Sequence, residues 1–130
     1  MGVNYLWDTN NAIYYLQQLF PPIAEQFVDD ILNQSAPIIS AVTEIELLCW
    51  KGASKKDIKV VQDFVSDSTI IELEPEIKVK TIEIRKQHNI RLPDAIIGGT
   101  ALVYNLTLLT RNVSDFKKIK GLKIINVWDL

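Results

Sequence analysis

The sequence predicts an α/β fold: a three-layer αβα sandwich around a mainly parallel central sheet of about five strands. Three observations carry this. Short apolar or β-branched runs alternate with helix-length segments along the whole chain. Most helix-length segments open on an Asp, Ser or Pro start signal. No stretch is long enough to be an interdomain linker, so residues 1–130 are expected to form one domain.

Val3 to Trp7 is an apolar strand. Asp8-Thr9-Asn10 offers N-caps for a short helix through about Leu19. Pro21 and Pro22 open a second helix, with Ile23, Phe27, Ile31 and Leu32 at helical spacing. Pro37 to Ile39 is a short strand, and Ser40 caps a helix carrying Val42, Ile45, Leu48 and Cys49 as its inward stripe. Lys51-Gly52-Ala53-Ser54 is a turn, after which Ser54 starts a helix with Ile58, Val61 and Val65 inward. Thr69 to Leu73 is a β-branched strand, and Pro75 begins a helix to about His88. Pro93 sits in the first turn of the next helix, which runs to Tyr104 and ends at Asn105. Leu106 to Thr110 and Lys123 to Val127 are the last strands.

Composition narrows the chemistry. No apolar run approaches the ~20 residues that span a bilayer. No export signal is read at the N-terminus, and the single cysteine forbids an internal disulfide; a cytoplasmic protein is expected. The net charge of −2 does not describe a general nucleic-acid coat. It leaves room for a metal-filled cleft, where bound cations supply the positive charge. One histidine, His88, makes a zinc hydrolase or a Ser-His-Asp triad hard to build. Cys49 reads as core and His88 as a partner of a helix C-terminus.

Parallel α/β sheets carry their sites beyond the carboxyl ends of the strands. Four acids fall there. Asp8 follows the first strand, Glu46 lies in the helix after the second, Asp94 opens a helix, and Asp115 follows the strand ending near Thr110. Each has a plain structural role available: an N-cap for Asp8, a capping box of Thr43 with Glu46, dipole compensation for Asp94, a solvated turn for Asp115. Together on one edge they would repel, and without a cation some would protonate. Hard divalent cations take oxygen ligands of this kind. Such a cluster serves phosphodiester hydrolysis, in which a bound ion activates water and steadies the leaving oxygen. Glu44 and Glu46 compete for one place. Glu46 shares a face with Val42 and Cys49, Glu44 with Leu47 and Leu48, and periodicity does not separate them.

The residues resemble the PIN-domain ribonucleases, and within them the VapC-type toxins of toxin–antitoxin pairs. The resemblance rests on Asp8-Thr9-Asn10, on Ile39-Ser40-x-x-Thr43-x-x-Glu46-Leu47, on Leu92-Pro93-Asp94-Ala95-Ile96-Ile97 and on Thr110-x-Asn112-x-x-Asp115-Phe116. It covers almost the whole chain. It implies a PIN-like fold and an endoribonuclease using one or two Mg²⁺ or Mn²⁺ ions. It implies that Asp8, Glu46, Asp94 and Asp115 are the metal-site and catalytic carboxylates, with Asn112 beside them. Family spacing selects Glu46 over Glu44, which becomes a neighbour. Thr9, Asn10, Thr43 and Thr110 take supporting places. Gly98-Gly99 departs from the small alanines usual after the third acid; close approach of another helix would justify it, and a softer helix is the alternative.

The same resemblance implies a homodimer held silent by a VapB-like antitoxin, with RNA as substrate and no membrane partner. Tyr14 and Tyr15 are the first candidates for a protein contact, and Arg91 and Arg111 for RNA phosphates. Two other classes compete. An Asp-nucleophile phosphatase would want a second Asp two residues after Asp8, where Asn10 stands, and a receiver-like domain would want a further acid and a late lysine. A catalytically silent RNA-processing scaffold on the same fold would have lost acids, and none is lost.

Overall fold

The computed structural model describes residues 4–51 and 54–130. Strands Tyr5–Trp7 (β1), Ile38–Ser40 (β2), Thr69–Ile71 (β3), Thr107–Leu109 (β4) and Ile124–Ile125 (β5) form one sheet in the order β3-β2-β1-β4-β5. Every pairing is parallel. The helices among the described residues are Thr9–Leu16 (α1), Pro22–Gln34 (α2), Ala41–Leu48 (α3), Lys55–Asp67 (α4), Pro75–Gln87 (α5), Leu92–Val103 (α6) and Val113–Phe116 (α7).

Side chains alternate across a strand, so adjacent residues of a central strand feed opposite layers. Leu6 and Trp7 of β1 do this, as do Leu108 and Leu109 of β4; all four are fully buried. Leu6 and Leu108 join one core with Ile77 and Ile84 of α5, Ala95 and Ile97 of α6, and Phe116 of α7. Trp7 and Leu109 join another with Ala12 of α1, Val28 of α2, Leu47 of α3 and Phe64 of α4. The expected three-layer sandwich and parallel sheet are therefore present.

The glycine pair answers to close packing. A Cβ at Gly99 would stand 3.0 Å from Thr81 Oγ1 and 3.5 Å from the Ile77 carbonyl on α5. One at Gly98 would meet Ile119 Cδ1 at 2.6 Å. Helix α5 approaches α6 this closely because α6 presents no side chain there.

Several boundaries differ from expectation. Helix α1 stops at Leu16, because Gln18 takes a left-handed conformation (φ 58°) that turns the chain toward Pro21. Asn105 does the same after α6 (φ 54°), as its place in the sequence suggested. Strands β3, β4 and β5 are shorter than expected, β2 lies one residue later, and Val127 belongs to a 3-10 turn, Val127–Asp129, rather than to β5. Val3, Gly52 and Ala53, assigned above to a strand and a turn, lie outside the described residues.

The inward stripe of α3 is a correction. Ile45 and Leu48 are 60% and 52% exposed and Cys49 is exposed, whereas Thr43 and Leu47 are buried. This helix turns a partly polar face inward because that face hydrogen-bonds to α1, and hydropathy alone does not register the preference. Ile23 and Ile58 are exposed for a simpler reason: Ala24 and Val28 of α2, and Val61, Phe64 and Val65 of α4, already fill those positions.

Candidate functional site: four carboxylates on one sheet edge

Parallel pairing sends every strand's carboxyl end to the same edge, and β1 lies between β2 and β4. The residues following these three strands must therefore meet. Asp8 follows β1, caps α1 and is 5% exposed. Its Oδ1 accepts from the Thr9 backbone N–H at 2.8 Å. Its Oδ2 accepts from Thr110 Oγ1, beyond β4, at 2.7 Å. Thr110 Oγ1 in turn accepts the Asn112 N–H at 3.0 Å, which fixes the turn into α7.

On the β2 side the order of donors follows from proton count. A threonine hydroxyl has one proton to give. Thr9 gives it to Glu46 Oε1 at 2.6 Å. The 3.0 Å contact between the Thr9 and Thr43 hydroxyls then runs from Thr43 to Thr9. Ser40, the N-cap of α3, donates to Thr43 Oγ1 at 3.3 Å and accepts the Thr43 N–H at 3.1 Å. A one-way hydroxyl chain, Ser40 to Thr43 to Thr9, thus ends on the Glu46 carboxylate. The Thr43–Glu46 capping box does not form, since Ser40 takes the cap and Glu46 turns to Thr9.

Asp94 sits in the first turn of α6 and is 5% exposed. Arg91 closes on it: Nη2 lies 3.2 Å and Nε 3.4 Å from Asp94 Oδ2. Asp94 above all, then Glu46 and Asp115, hold the Arg91 guanidinium above its ordinary pKa. Asp115, in α7, accepts from Asn112 Nδ2 at 3.2 Å and pairs with Lys118 Nζ at 3.5 Å.

Burial dominates the electrostatics of Asp8 and pushes its carboxyl up to about 6. The Thr110 hydroxyl and the Thr9 N–H oppose that rise, while the charges of Asp94 and Glu46 add to it. All four acids share one edge. As they stand, though, no group of three or more Asp, Glu, His or Cys among the described residues is drawn in tightly enough to clasp an ion. Asp94 is turned to Arg91 and Glu46 to Thr9.

Not every expected participant is brought in. Asn10 is exposed, and neither it nor Glu44 makes a side-chain hydrogen bond among the described residues. Arg111 lies over the Trp128 ring, 4.1 Å from its centroid, and 5.8 Å from that of Tyr14. Tyr14 packs edge-on to Trp128, and Tyr15 edge-on to Trp7; both stay half-exposed. Lys118 was missed; its place three residues after Asp115 in a helical turn was the available signal. Ser40 was read only as a cap.

The PIN domain family model matches residues 5–122. This chain belongs to the PIN domain family. It is 28% identical to the tRNA(fMet)-specific endonuclease VapC of Salmonella typhimurium, over 94% of this chain and 96% of that one. Among solved structures it resembles a toxin–antitoxin complex from Klebsiella pneumoniae, with TM-score 0.77 and 28% identity over 98% and 100% of the two chains. It also resembles the DNA-bound VapBC of Salmonella typhimurium, with TM-score 0.81 and 25% identity over 97% and 99%. The likeness to both solved structures runs over nearly the full length of the chain.

Proposed function

We propose that this chain is a divalent-metal-dependent endoribonuclease, the toxin of a type II toxin–antitoxin pair. One observation carries the chemistry: four carboxylates from four separate segments share one sheet edge, and two of them, Asp8 and Asp94, are buried. The names of the PIN-family relatives support RNA as substrate and a VapB-like antitoxin as partner.

The donor set fits a hard cation. All four candidate ligands are carboxylate oxygens, and Asp8 is pushed up by burial beside like charges, a penalty that a cation relieves. Asp8, Glu46, Asp94 and Asp115 would hold Mg²⁺ or Mn²⁺. When bound, such an ion supplies an activated water and stabilises negative charge on phosphodiester oxygens. The chain's own residues do the positioning. Thr9 N–H and Thr110 Oγ1 fix both oxygens of Asp8. The hydroxyl chain aims its last proton at Glu46 and so fixes the orientation of that carboxylate. Asn112 orients Asp115. Thr43 supports the site through Thr9, whereas Asn10 and Glu44 stay at its margin. Arg91 and Arg111 are assigned to phosphates of single-stranded or looped RNA, whose unstacked backbone can bend to the edge.

The remaining assignments are a single domain over residues 1–130, a homodimer and a cytoplasmic location. No described helix is long and apolar enough to cross a membrane. The phosphatase alternative gains nothing, because Asn10, where it needs a second acid, faces solvent.

The test is cleavage of a mixed RNA pool by purified protein with Mg²⁺, Mn²⁺ or EDTA, beside Asp8→Ala and Asp94→Ala. Metal-dependent cutting lost in both variants supports the reading. Cutting that survives both substitutions, or is indifferent to EDTA, overturns it.

A further inference from the structure

The four carboxylates differ in what compensates them. Asp8 and Glu46 receive neutral donors, Asp115 an amide and a lysine, and Asp94 only the Arg91 guanidinium among the described residues. Arg91 is anchored by nothing else but its backbone: its side chain is 77% exposed and, among the described residues, has no other hydrogen-bond partner. It stands just before α6, at the mouth of the site. Arg111 differs, because its guanidinium is already stacked on Trp128.

We infer that Arg91 is a resident counter-ion of the carboxylate cluster, one that competes with the divalent cation for Asp94 and is displaced when the ion binds. The inference rests on the metal-site reading above and adds a control on its affinity. An arginine cannot give up its charge at neutral pH, so it yields only by moving. Its pair with Asp94 is open to solvent on the arginine side, so water can take up the guanidinium when a doubly charged ion takes the carboxylate. The loose arrangement of the acids fits this role, because Asp94 is turned toward Arg91.

The test is Mn²⁺ affinity of the RNA-free protein by calorimetry, for wild type, Arg91→Gln, Arg91→Lys and Asp94→Asn, with a thermal melt of each to establish folding. Arg91→Gln is expected to bind Mn²⁺ roughly fivefold more tightly, the ratio equivalent to ~1 kcal/mol. Arg91→Lys, which keeps the charge without the fork, is expected to fall between it and wild type. A role confined to holding the fold predicts the opposite, since damage weakens binding. Mn²⁺ bound by wild type and lost in Asp94→Asn, with Arg91→Gln equal to or weaker than wild type, overturns this inference and leaves the metal site standing. No Mn²⁺ binding by folded wild type, with or without the substitutions, overturns both.

Discussion

The acid cluster has two halves built on different principles. Around Asp8 and Glu46 every hydrogen-bonding group is neutral: Thr9, Thr43, Ser40 and Thr110. Around Asp94 and Asp115 the compensation is largely cationic, from Arg91 and Lys118. Hydroxyl donors on packed strands and helices keep their geometry but leave net charge unbalanced. Flexible cations balance charge but hold geometry weakly. The first half is therefore a preformed seat, and the second half an adjustable one.

Removing a carboxylate tests whether both halves belong to one site. Asp8→Ala and Asp94→Ala are each expected to lower RNA cleavage on the order of 10²–10³-fold, the size typical of losing a preorganised electrostatic group. A variant with cleavage near wild type would split the halves apart.

The preformed half also carries a stability penalty that pH exposes. The Asp8 carboxyl is raised from 3.8 to about 6 in the fold. A raised acid favours folding only while it is protonated in both states, so that advantage is complete below about 3.8 and is lost as pH rises through about 6. In EDTA, Asp8→Asn is expected to be more stable than wild type at neutral pH by an amount on the order of 2–3 kcal/mol, with the gap closing toward pH ~4. Urea denaturation across that range measures it. A constant gap would place the burial of Asp8 in error.

Thr110→Val removes one of the hydroxyls that seat Asp8 while keeping the shape. It is expected to cost about 1–3 kcal/mol in urea denaturation. Cleavage should fall by about 10–100-fold, as when a ligand loses its supporting hydrogen bond. Asn112→Ala, on the adjustable side, is expected to cost no more than about 1 kcal/mol in the same denaturation assay, since its partner Asp115 is open to solvent. A larger loss there than at Thr110 would reverse the contrast.

The order of strands and helices, and the placing of all four acids on one edge, were legible because both follow from local signals. Start residues and strand runs mark the elements, and parallel topology does the gathering. The hydroxyl chain was not legible. Ser40, Thr43 and Thr9 each have a sufficient local reason to stand where they do, and the bonds that join α1 to α3 cross more than thirty residues of sequence. The exposed Ile45 and Leu48 misled for the same reason: the polar contacts of Thr43 and Glu46 settle which way α3 faces. Arg91 stood beside Asp94 in the sequence, but its hold on the acid required the turn into α6.

The bond from Thr110 to Asp8 joins residues 102 positions apart. A chain is synthesised from its N-terminus, so Asp8 and Glu46 leave the ribosome long before the hydroxyl that seats Asp8 exists. Contacts between such distant segments also form late in folding, after loop closure has been met. Strand β4 must be made and must pair with β1 before the edge is complete. On the reading given above, the nascent protein emerges beside ribosomal and messenger RNA with its cutting edge unassembled, so cleavage is deferred until β4 has been made and has paired with β1.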